Sequence, residues 1–301
     1  MSVIATSTIS DALDLNLKEI WQDGLNRPDE VYSKTFNVVN SDKASEKYSY
    51  ESGFRAMPVK NEGVDAEFDA VRPGVSKTVV NVTYALGYEI TEEAIEDNQH
   101  SQETFNKLPQ ALQASLFETV EAKSAGVFNN GFGTNGFDGV PLASASHPVL
   151  GGGTQSNTPS TQADLSWTTL QAALTSFEQF IDERGLQRKT TPSLLNVPSA
   201  SWSIAHEILV SEYKPYTGDN EVNAIKIKNL QYITNRWITD TDSWWLLAAK
   251  GEHKLMFQWR VRPGALRRGT DFNSTNLKHL SRVRFGVDYT HYIGTYGSSG
   301  G

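Results

Sequence analysis

The sequence predicts an α+β fold. Apolar residues recur every three or four positions in residues 101–129 and again in 166–181, which indicates two amphipathic helices. The last third of the chain is instead rich in β-branched and aromatic residues. Helices and strands therefore segregate along the chain and do not alternate as βαβ units. With 301 residues and 38% hydrophobic content, the chain can form one large domain or two smaller ones.

The N-terminal quarter predicts short elements and then a long polar stretch. Residues 14–23 are predicted as an amphipathic helix, and residues 31–39 as a strand. Residues 40–74 have no helical or strand period, yet they contain aromatic and large apolar side chains, namely Tyr48, Tyr50, Phe54, Met57 and Phe68. Irregular segments this long are uncommon in compact domains and are usually functional or disordered.

The central elements follow in order. Residues 76–90 are predicted as one long strand, and Thr91 as the cap of a helix whose first turn carries Glu92 and Glu93. The long helix of residues 101–129 contains Pro109, which is expected to kink it or to mark its first turn.

A flexible loop is predicted for residues 143–164 because it is rich in Gly, Ser and Thr. Ser166 is then predicted to cap a helix that Gly185 ends. Further elements are a buried strand at 193–197, a helix at about 198–209, and strands in the segments AIKIKN, LQYITN, SWWLLAA, HKLMFQWRVR and RVRFGVDYTHYIGTYG.

Composition excludes several classes of function. There is no cysteine, so disulfides, thiolate metal sites and cysteine nucleophiles are excluded. No apolar run is long enough to span a bilayer, and no secretory signal is predicted. The net charge of −8 does not favour tight nucleic-acid binding. The charge is uneven: residues 1–70 hold 13 acidic and 7 basic side chains, whereas residues 250–301 hold 9 basic and 3 acidic ones. The two ends could pair within a chain or between copies, or the asymmetry could be chance.

Candidate chemical sites are weak, so no catalytic, cofactor-binding or metal-ligating residue is predicted. His147 lies in a Gly/Ser-rich loop without partners at catalytic spacing, and its replacement by alanine is expected to leave folding nearly intact. Asp240 and Asp242 are better explained by a turn than by a calcium loop, and Glu92 and Glu93 by the helix dipole. The basic segment 262–271 favours a solvated loop over a contact with nucleic acid or an acidic neighbour.

Four of the seven tryptophans fall within 23 residues: Trp237, Trp244, Trp245 and Trp259. A core or subunit contact is favoured, because these residues lie in predicted strands beside other large apolar residues. A Trp-rich carbohydrate-binding or hydrolytic protein is the remote alternative.

An ordered set of motifs resembles the Mu-like phage major head subunit family. The segments TYALGYEITEEAIEDN, the long helix, and GFDGVPLASASHPVLGG match its centre, with Leu142, Ser144, His147 and Pro148 in the loop pattern. TTPSLLNVPSASWSIAHEIL, DSWWLLAA and RFGVDYTHYIGTYG are similar to later family segments, so the resemblance covers about residues 20–296.

The resemblance implies the Hong Kong 97-type capsid fold and a non-enzymatic role as a major capsid protein. The expected parts are an N-terminal arm and start of the peripheral domain (1–36), an extended β-hairpin loop (37–78), a peripheral domain (79–187) with a spine helix at about 101–130, an axial domain (188–272) and a C-terminal return to the peripheral domain (273–301). An encapsulin-type compartment shell, which has the same fold, is the alternative.

The resemblance also implies partners. The chain is expected to form pentamers and hexamers of an icosahedral shell assembled in the host cytoplasm, to touch packaged double-stranded DNA weakly, and to act with a portal and a separate scaffolding protein, since this chain has no room for a scaffolding segment. A decoration protein is an optional addition, and no membrane or cofactor is involved. Predicted intersubunit contacts are Phe54, Met57, Phe68, Arg262, Arg267 and Arg268.

Overall fold

The structure, a computed structural model, describes residues 17–25, 30–71, 73–96, 102–215, 218 and 221–301. The helices are α1 (residues 17–23), α2 (Val31–Thr35), α3 (Glu92–Glu96), α4 (Gln102–Asn129), α5 (Trp167–Glu178), α6 (Trp202–Val210) and α7 (Ala224–Ile227). The strands are β1 (Asn37–Asn40), β2 (Ser45–Glu51), β3 (Pro73–Val80), β4 (Val82–Ile90), β5 (His147–Pro148), β6 (Thr154–Gln155), β7 (Pro192–Val197), β8 (Gln231–Thr234), β9 (Trp244–Ala248), β10 (Leu255–Val261), β11 (Arg267–Thr270), β12 (Leu277–Tyr289) and β13 (Thr295–Ser298).

A five-stranded sheet and the long helix α4 enclose the larger core. The long strand β12 pairs on one side with β10 and β11 and on the other with β4, and β1 joins parallel to β10. The predicted apolar stripe of α4 is buried at Leu112, Leu116 and Val120, where the helix packs on this sheet. Pro109 lies inside the helix and does not end it.

A four-stranded sheet carries the second core. Its order is β13–β9–β7–β8, with β7 parallel to β8 and the other pairs antiparallel. Every residue of β9 is buried, and α5 and α6 contribute apolar side chains to the same cluster. The predicted burial of residues 193–197 and 244–248 is confirmed in the main, since Leu195, Asn196 and Val197 are buried and Ser193 and Leu194 partly so.

The two sheets do not divide the chain at the bounds of the predicted axial domain, residues 188–272. Strands β10 and β11 fall within that range but pair with β12 and so belong to the sheet of α4. Conversely, β13 falls in the predicted return to the peripheral domain but pairs with β9. The order of the strands along the chain does not reveal which sheet each strand joins, because strand partners are set by burial across the sheet and not by proximity along the chain.

Two predicted strands differ from the structure. Residues 31–35 are helical, because the carboxylate of Glu121 on α4 accepts the N–H groups of Val31 and Tyr32 and so caps this short helix from outside. Residues 76–90 form two strands and not one, because Asn81 separates β3 from β4.

Two further boundaries differ from prediction. AIKIKN was predicted as a strand, but Ala224–Ile227 is helical and Asn223 caps it by accepting the N–H of Ile225. Ser166 caps α5 through a capping box as predicted, yet α5 ends at Glu178 and not near Gly185. Gly185, with φ of +82°, instead lies in a turn closed by the pairing of Ile181 with Gln187.

Composition predicted a flexible loop for the segment 143–164, but part of this segment is buried. His147 is buried, with Nδ1 2.6 Å from the carboxylate of Asp138 and Nε2 3.0 Å from Oδ1 of Asn157. Its ring stacks on Tyr292 at 3.7 Å between centroids. Because Asn157 also donates to the carbonyl of Leu142, this polar cluster ties the segment to the rest of the fold. His147→Ala is therefore expected to destabilise the fold, contrary to the expectation from the sequence.

Candidate intersubunit surfaces

A β-hairpin projects from the larger sheet and carries the polar stretch. Its arms are β2 and β3, paired antiparallel from Ser45–Val80 to Glu51–Pro73, and residues 52–71 lie at its tip. The hairpin is shorter at its start than the predicted range of 37–78, because residues 37–40 pair with β10 in the body. Residues that were predicted as one loop therefore divide into an anchor strand and a projecting arm.

A buried polar network forms the root of the hairpin. Asn81 donates from Nδ2 to Ser41 Oγ and to the carbonyl of Lys43, both at 2.9 Å. Gln258 of β10 donates to Asn81 Oδ1 at 3.0 Å and accepts the hydroxyl of Tyr48 at 3.1 Å. Both amide side chains are buried and paired, so the network fixes where β3 leaves the body and β4 begins.

A second attachment lies farther along the arm. The ring of Tyr50 packs on His291 at 4.5 Å, and Arg188 donates to the Tyr50 hydroxyl at 3.0 Å. Arg184 pairs with the carboxylate of Asp69 at 2.5 Å. The backbone N–H of Arg55, followed by this guanidinium, lowers the pKa of Asp69 to about 2. The arm is thus held against the turn that contains Gly185.

The tip beyond these attachments exposes large apolar side chains. Met57 and Phe68 are 97% and 96% exposed, and Phe54 is 57% exposed. Val59 and Val64, which the sequence prediction did not single out, are also exposed. Arg55 and Glu67 pair across the tip. A tip that is tied at both ends yet leaves its apolar side chains in water is typical of a surface that another molecule covers.

The three predicted arginines lie in two other places. Arg262 donates to Asn40 Oδ1 at 3.1 Å and lies over the ring of Trp259. Arg267 and Arg268 lie on the exposed strand β11, beside a groove that Glu89 and Lys278 also line. The structure does not gather these arginines with the apolar tip into one patch on this chain. Their intersubunit roles stay predictions.

The other residues considered for a chemical role, His147, Asp240 and Asp242, make hydrogen bonds within the fold. Both ring nitrogens of His147 are engaged, by Asp138 and Asn157. Asp242 donates its N–H to Asp240 Oδ1, the turn that the sequence predicted. Among the residues that the structure describes, no group of three or more His, Asp and Glu side chains is placed to hold a metal ion. Within the same residues, no helix is both long and apolar enough to cross a membrane.

Comparison with known proteins assigns the chain to a family. A family model described as "Phage capsid protein" matches residues 75–296, which is most of the chain. The chain belongs to the phage capsid protein family. No curated relative matches it in sequence. This family supports a phage capsid protein over an encapsulin-type shell, and it is a family of structural proteins. The narrower Mu-like resemblance stays a prediction.

Solved structures show the fold of this capsid protein. The procapsid of bacteriophage JBD30 is similar at 14% identity with a TM-score of 0.53, covering 96% of this chain and 74% of that one. A chain of Microbacterium phage Oxtober96 is 12% identical with a TM-score of 0.55, covering 92% of each chain. A virus-like particle from Pyrococcus furiosus is 11% identical with a TM-score of 0.55, covering 94% and 98%. The capsid protein therefore has the Hong Kong 97-type α+β fold.

Three of the four clustered tryptophans of this capsid protein lie in its cores. Trp244, Trp245 and Trp259 are buried in the two cores, as the favoured prediction held, and Trp237 is partly buried. The indole of Trp237 donates to Glu118 on α4. Their burial removes the ring faces on which the carbohydrate-binding alternative rested, because stacking on a sugar requires an exposed ring face.

Sequence reasoning missed the residues that position the hairpin. Asn81 was placed inside a strand, although Asn is depleted in strands and its presence in a β-branched run was a usable signal. Gln258, Arg184 and Arg188 carried no such signal. Their partners lie 100 residues or more away along the chain, so only the folded structure pairs them with the hairpin.

Proposed function

We propose that this capsid protein assembles into pentamers and hexamers that close an icosahedral shell around phage double-stranded DNA. The observation that carries the proposal is the hairpin tip, whose apolar side chains Phe54, Met57 and Phe68 lie in solvent on an anchored arm. Burying such side chains against a neighbouring copy is favourable by roughly 25 cal/mol for each Å² of apolar surface. The tip therefore acts as the intersubunit contact.

The charges of the chain support the remaining parts of the proposal. A net charge of −8 suits a shell that encloses DNA while holding it weakly. Arg262, Arg267 and Arg268 are exposed and serve as contacts for acidic surfaces of neighbouring copies. A separate scaffolding protein and a portal are further partners, a decoration protein is an optional one, and the shell assembles in the host cytoplasm and resides in the virion.

The test removes the tip and keeps its anchors. Residues 54–68 are replaced by a short Gly/Ser turn, which leaves β2, β3, Asp69 and the root network in place. Deleting the longer range 42–69 would also remove Tyr48 and Tyr50, whose contacts hold the arm on the body. Shortening the connection changes the loop-closure free energy by only about 1 kcal/mol.

The expected result is a subunit with an unchanged circular dichroism spectrum and cooperative melt that no longer forms shells. Negative-stain electron microscopy and light scattering, with and without the products of neighbouring genes, measure assembly. Lys60→Ala serves as the matched control, because it alters a charged side chain of the same tip. Shells that form at the normal rate without the tip would refute the proposed contact. Wild-type protein that stays monomeric under every condition would refute the shell itself.

A further inference from the structure

The hairpin arm rests on a buried histidine. Tyr50 of β2 packs its ring on His291, which follows β12 and is only 1% exposed. The rings of Phe137 and Tyr292 also lie against the imidazole, with centroids 5.3 and 4.6 Å away. Any change that moves the imidazole therefore moves the surface on which the arm lies.

Two hydrogen bonds define the protonation of this ring. The backbone N–H of Ile293 donates to Nδ1 of His291 at 3.2 Å, so Nδ1 must carry a lone pair. Nε2 lies 3.1 Å from Oε1 of Glu183 and therefore carries the proton. The attached arm thus rests on a neutral imidazole whose two nitrogens are both paired.

The charged and titratable side chains around the ring are Glu183, Arg188, Asp138, Tyr50 and Tyr292. The two carboxylates favour an imidazolium, whereas the guanidinium opposes it. Burial opposes it most, so the pKa of His291 is lowered from its ordinary value of 6.5. Burial also raises the pKa of both phenols, which therefore stay neutral at and below neutral pH.

A proton can enter the ring only at Nδ1. It would set two N–H groups against each other at Ile293 and leave a buried cation beneath Tyr50. Turning the ring toward water relieves both costs. Phe137 and Tyr292 belong to the body, so the arm is the cover that can move aside.

The two attachments of the arm respond differently to acid. The root network joins Asn81 and Gln258 through buried amides, which do not titrate. The pair of Arg184 with Asp69 lies near the surface, where ion pairs contribute little. The pKa of Asp69 is about 2, so this pair stays charged in mild acid. The packing of Tyr50 on His291 is therefore the contact that mild acid changes.

We propose that His291 is a pH-sensitive latch for the hairpin arm: its neutral ring holds Tyr50 on the body, and its protonation frees the arm to swing about the root network. The released state accepts a proton that the attached state excludes. Attachment is therefore strongest above about pH 6.5 and weakens as the pH falls below that value. This inference concerns the single subunit and does not depend on shell formation.

Fluorescence energy transfer within the unassembled subunit tests the latch. The chain has no cysteine, so Lys60→Cys at the tip and Thr175→Cys on α5 introduce a unique pair of sites for pH-insensitive dyes. Transfer should fall as the pH is lowered from 7.5 to 5, because the equilibrium constant for attachment decreases by up to about 30-fold. Tryptophan fluorescence of the cores should stay constant over the same range.

Point variants assign the effect to the ring. His291→Gln should make the transfer independent of pH, because an amide does not titrate in this range. His206→Gln removes an exposed histidine from α6 and is the matched control that should keep the pH dependence. Tyr50→Ala removes the contact from the arm and should give low transfer at both pH values. Tryptophan fluorescence reports whether each variant is folded.

Three results would overturn the proposal. Transfer in the wild-type chain that ignores pH would mean that acid does not release the arm. A pH dependence that persists in His291→Gln would assign the release to another group. A loss of tryptophan fluorescence with the same midpoint would mean that the whole subunit unfolds and that no latch acts separately.

Discussion

The buried strand β9 and the hairpin tip contain similar side chains in opposite surroundings. Trp244 and Trp245 are almost fully enclosed, whereas Met57 and Phe68 of the tip lie almost entirely in solvent. Strand β9 is covered by helices and neighbouring strands of its own chain, while the tip extends beyond them. The difference teaches that an apolar residue marks a core only where its own chain can cover it. The proposed function assigns the uncovered ones of the tip to contacts between copies.

The two regions also treat carboxylates differently. In the body, burial raises the pKa of Glu121 to about 7, although the side chain accepts the N–H groups of Val31 and Tyr32. Near the tip, hydrogen bonds from Arg55 and Arg184 lower the pKa of Asp69 to about 2. Burial in the body thus disfavours the charged form of Glu121, whereas the hydrogen bonds of the arm favour the charged form of Asp69.

Replacing a core tryptophan should have the largest effect. Trp245 packs on Phe128 and Phe132, with ring centroids 5.5 and 4.6 Å away. Trp245→Ala should lower the free energy of unfolding by about 3–5 kcal/mol, as for other large-to-small core changes. Urea denaturation of the unassembled subunit measures it, with the half-exposed Trp202→Ala as the matched control. A loss below about 1 kcal/mol would place Trp245 outside the core.

Removing His147 should have the second-largest effect. His147→Ala should lower the free energy of unfolding by roughly 3 kcal/mol, because it leaves the buried carboxylate of Asp138 without its partner. His206→Ala, which removes an exposed histidine from α6, should cost under about 0.5 kcal/mol. In a double-mutant cycle, adding Asp138→Asn to His147→Ala should recover part of the loss. Strict additivity would show that the two side chains do not act together.

The third effect, on the order of 2–3 kcal/mol, depends on pH. The pKa of Glu121 in the folded state is about 7, above its ordinary value of 4.5. Between these values the folded chain holds a proton that the unfolded chain has released, so the free energy of unfolding falls as pH rises from about 4.5 to 7.

Glu121→Gln should remove this decrease, at the cost of one backbone hydrogen bond at every pH, because an amide accepts only through its single oxygen. Denaturation at pH 5 and pH 8 measures the difference, and Glu118→Gln on the same helix is the control. An unchanged pH slope in Glu121→Gln would contradict the assignment.

The smallest effect on the subunit is expected at the tip. Phe68→Ala and Phe54→Ala should change the free energy of unfolding by less than about 0.5 kcal/mol, because these rings contribute little to their own chain. The same changes should slow shell formation more than Lys60→Ala does, since aromatic side chains dominate interface energies. Thermal melting measures the stability of the subunit, and light scattering measures shell formation. A large loss of subunit stability would show that the tip belongs to the core.

The sequence by itself determined the elements whose pattern is local. The spacing of Leu112, Leu116 and Val120 predicted the buried face of α4, and Ser166 predicted the start of α5. The lack of any period in residues 40–74 predicted a segment that its own chain does not bury, and residues 53–68 of it are exposed. Periodicity and capping involve residues a few positions apart, so these features can be read along the chain.

Only the tertiary structure decided the features that depend on distant partners. Glu121 makes residues 31–35 helical from 90 residues away, and Gln258 joins Asn81 at the root of the hairpin. Asp138 and Asn157 turn a Gly/Ser-rich segment into a buried cluster around His147. The physical reason is the same in each case. A buried polar group must find its hydrogen-bond partner wherever the fold places one, and sequence spacing does not reveal that position.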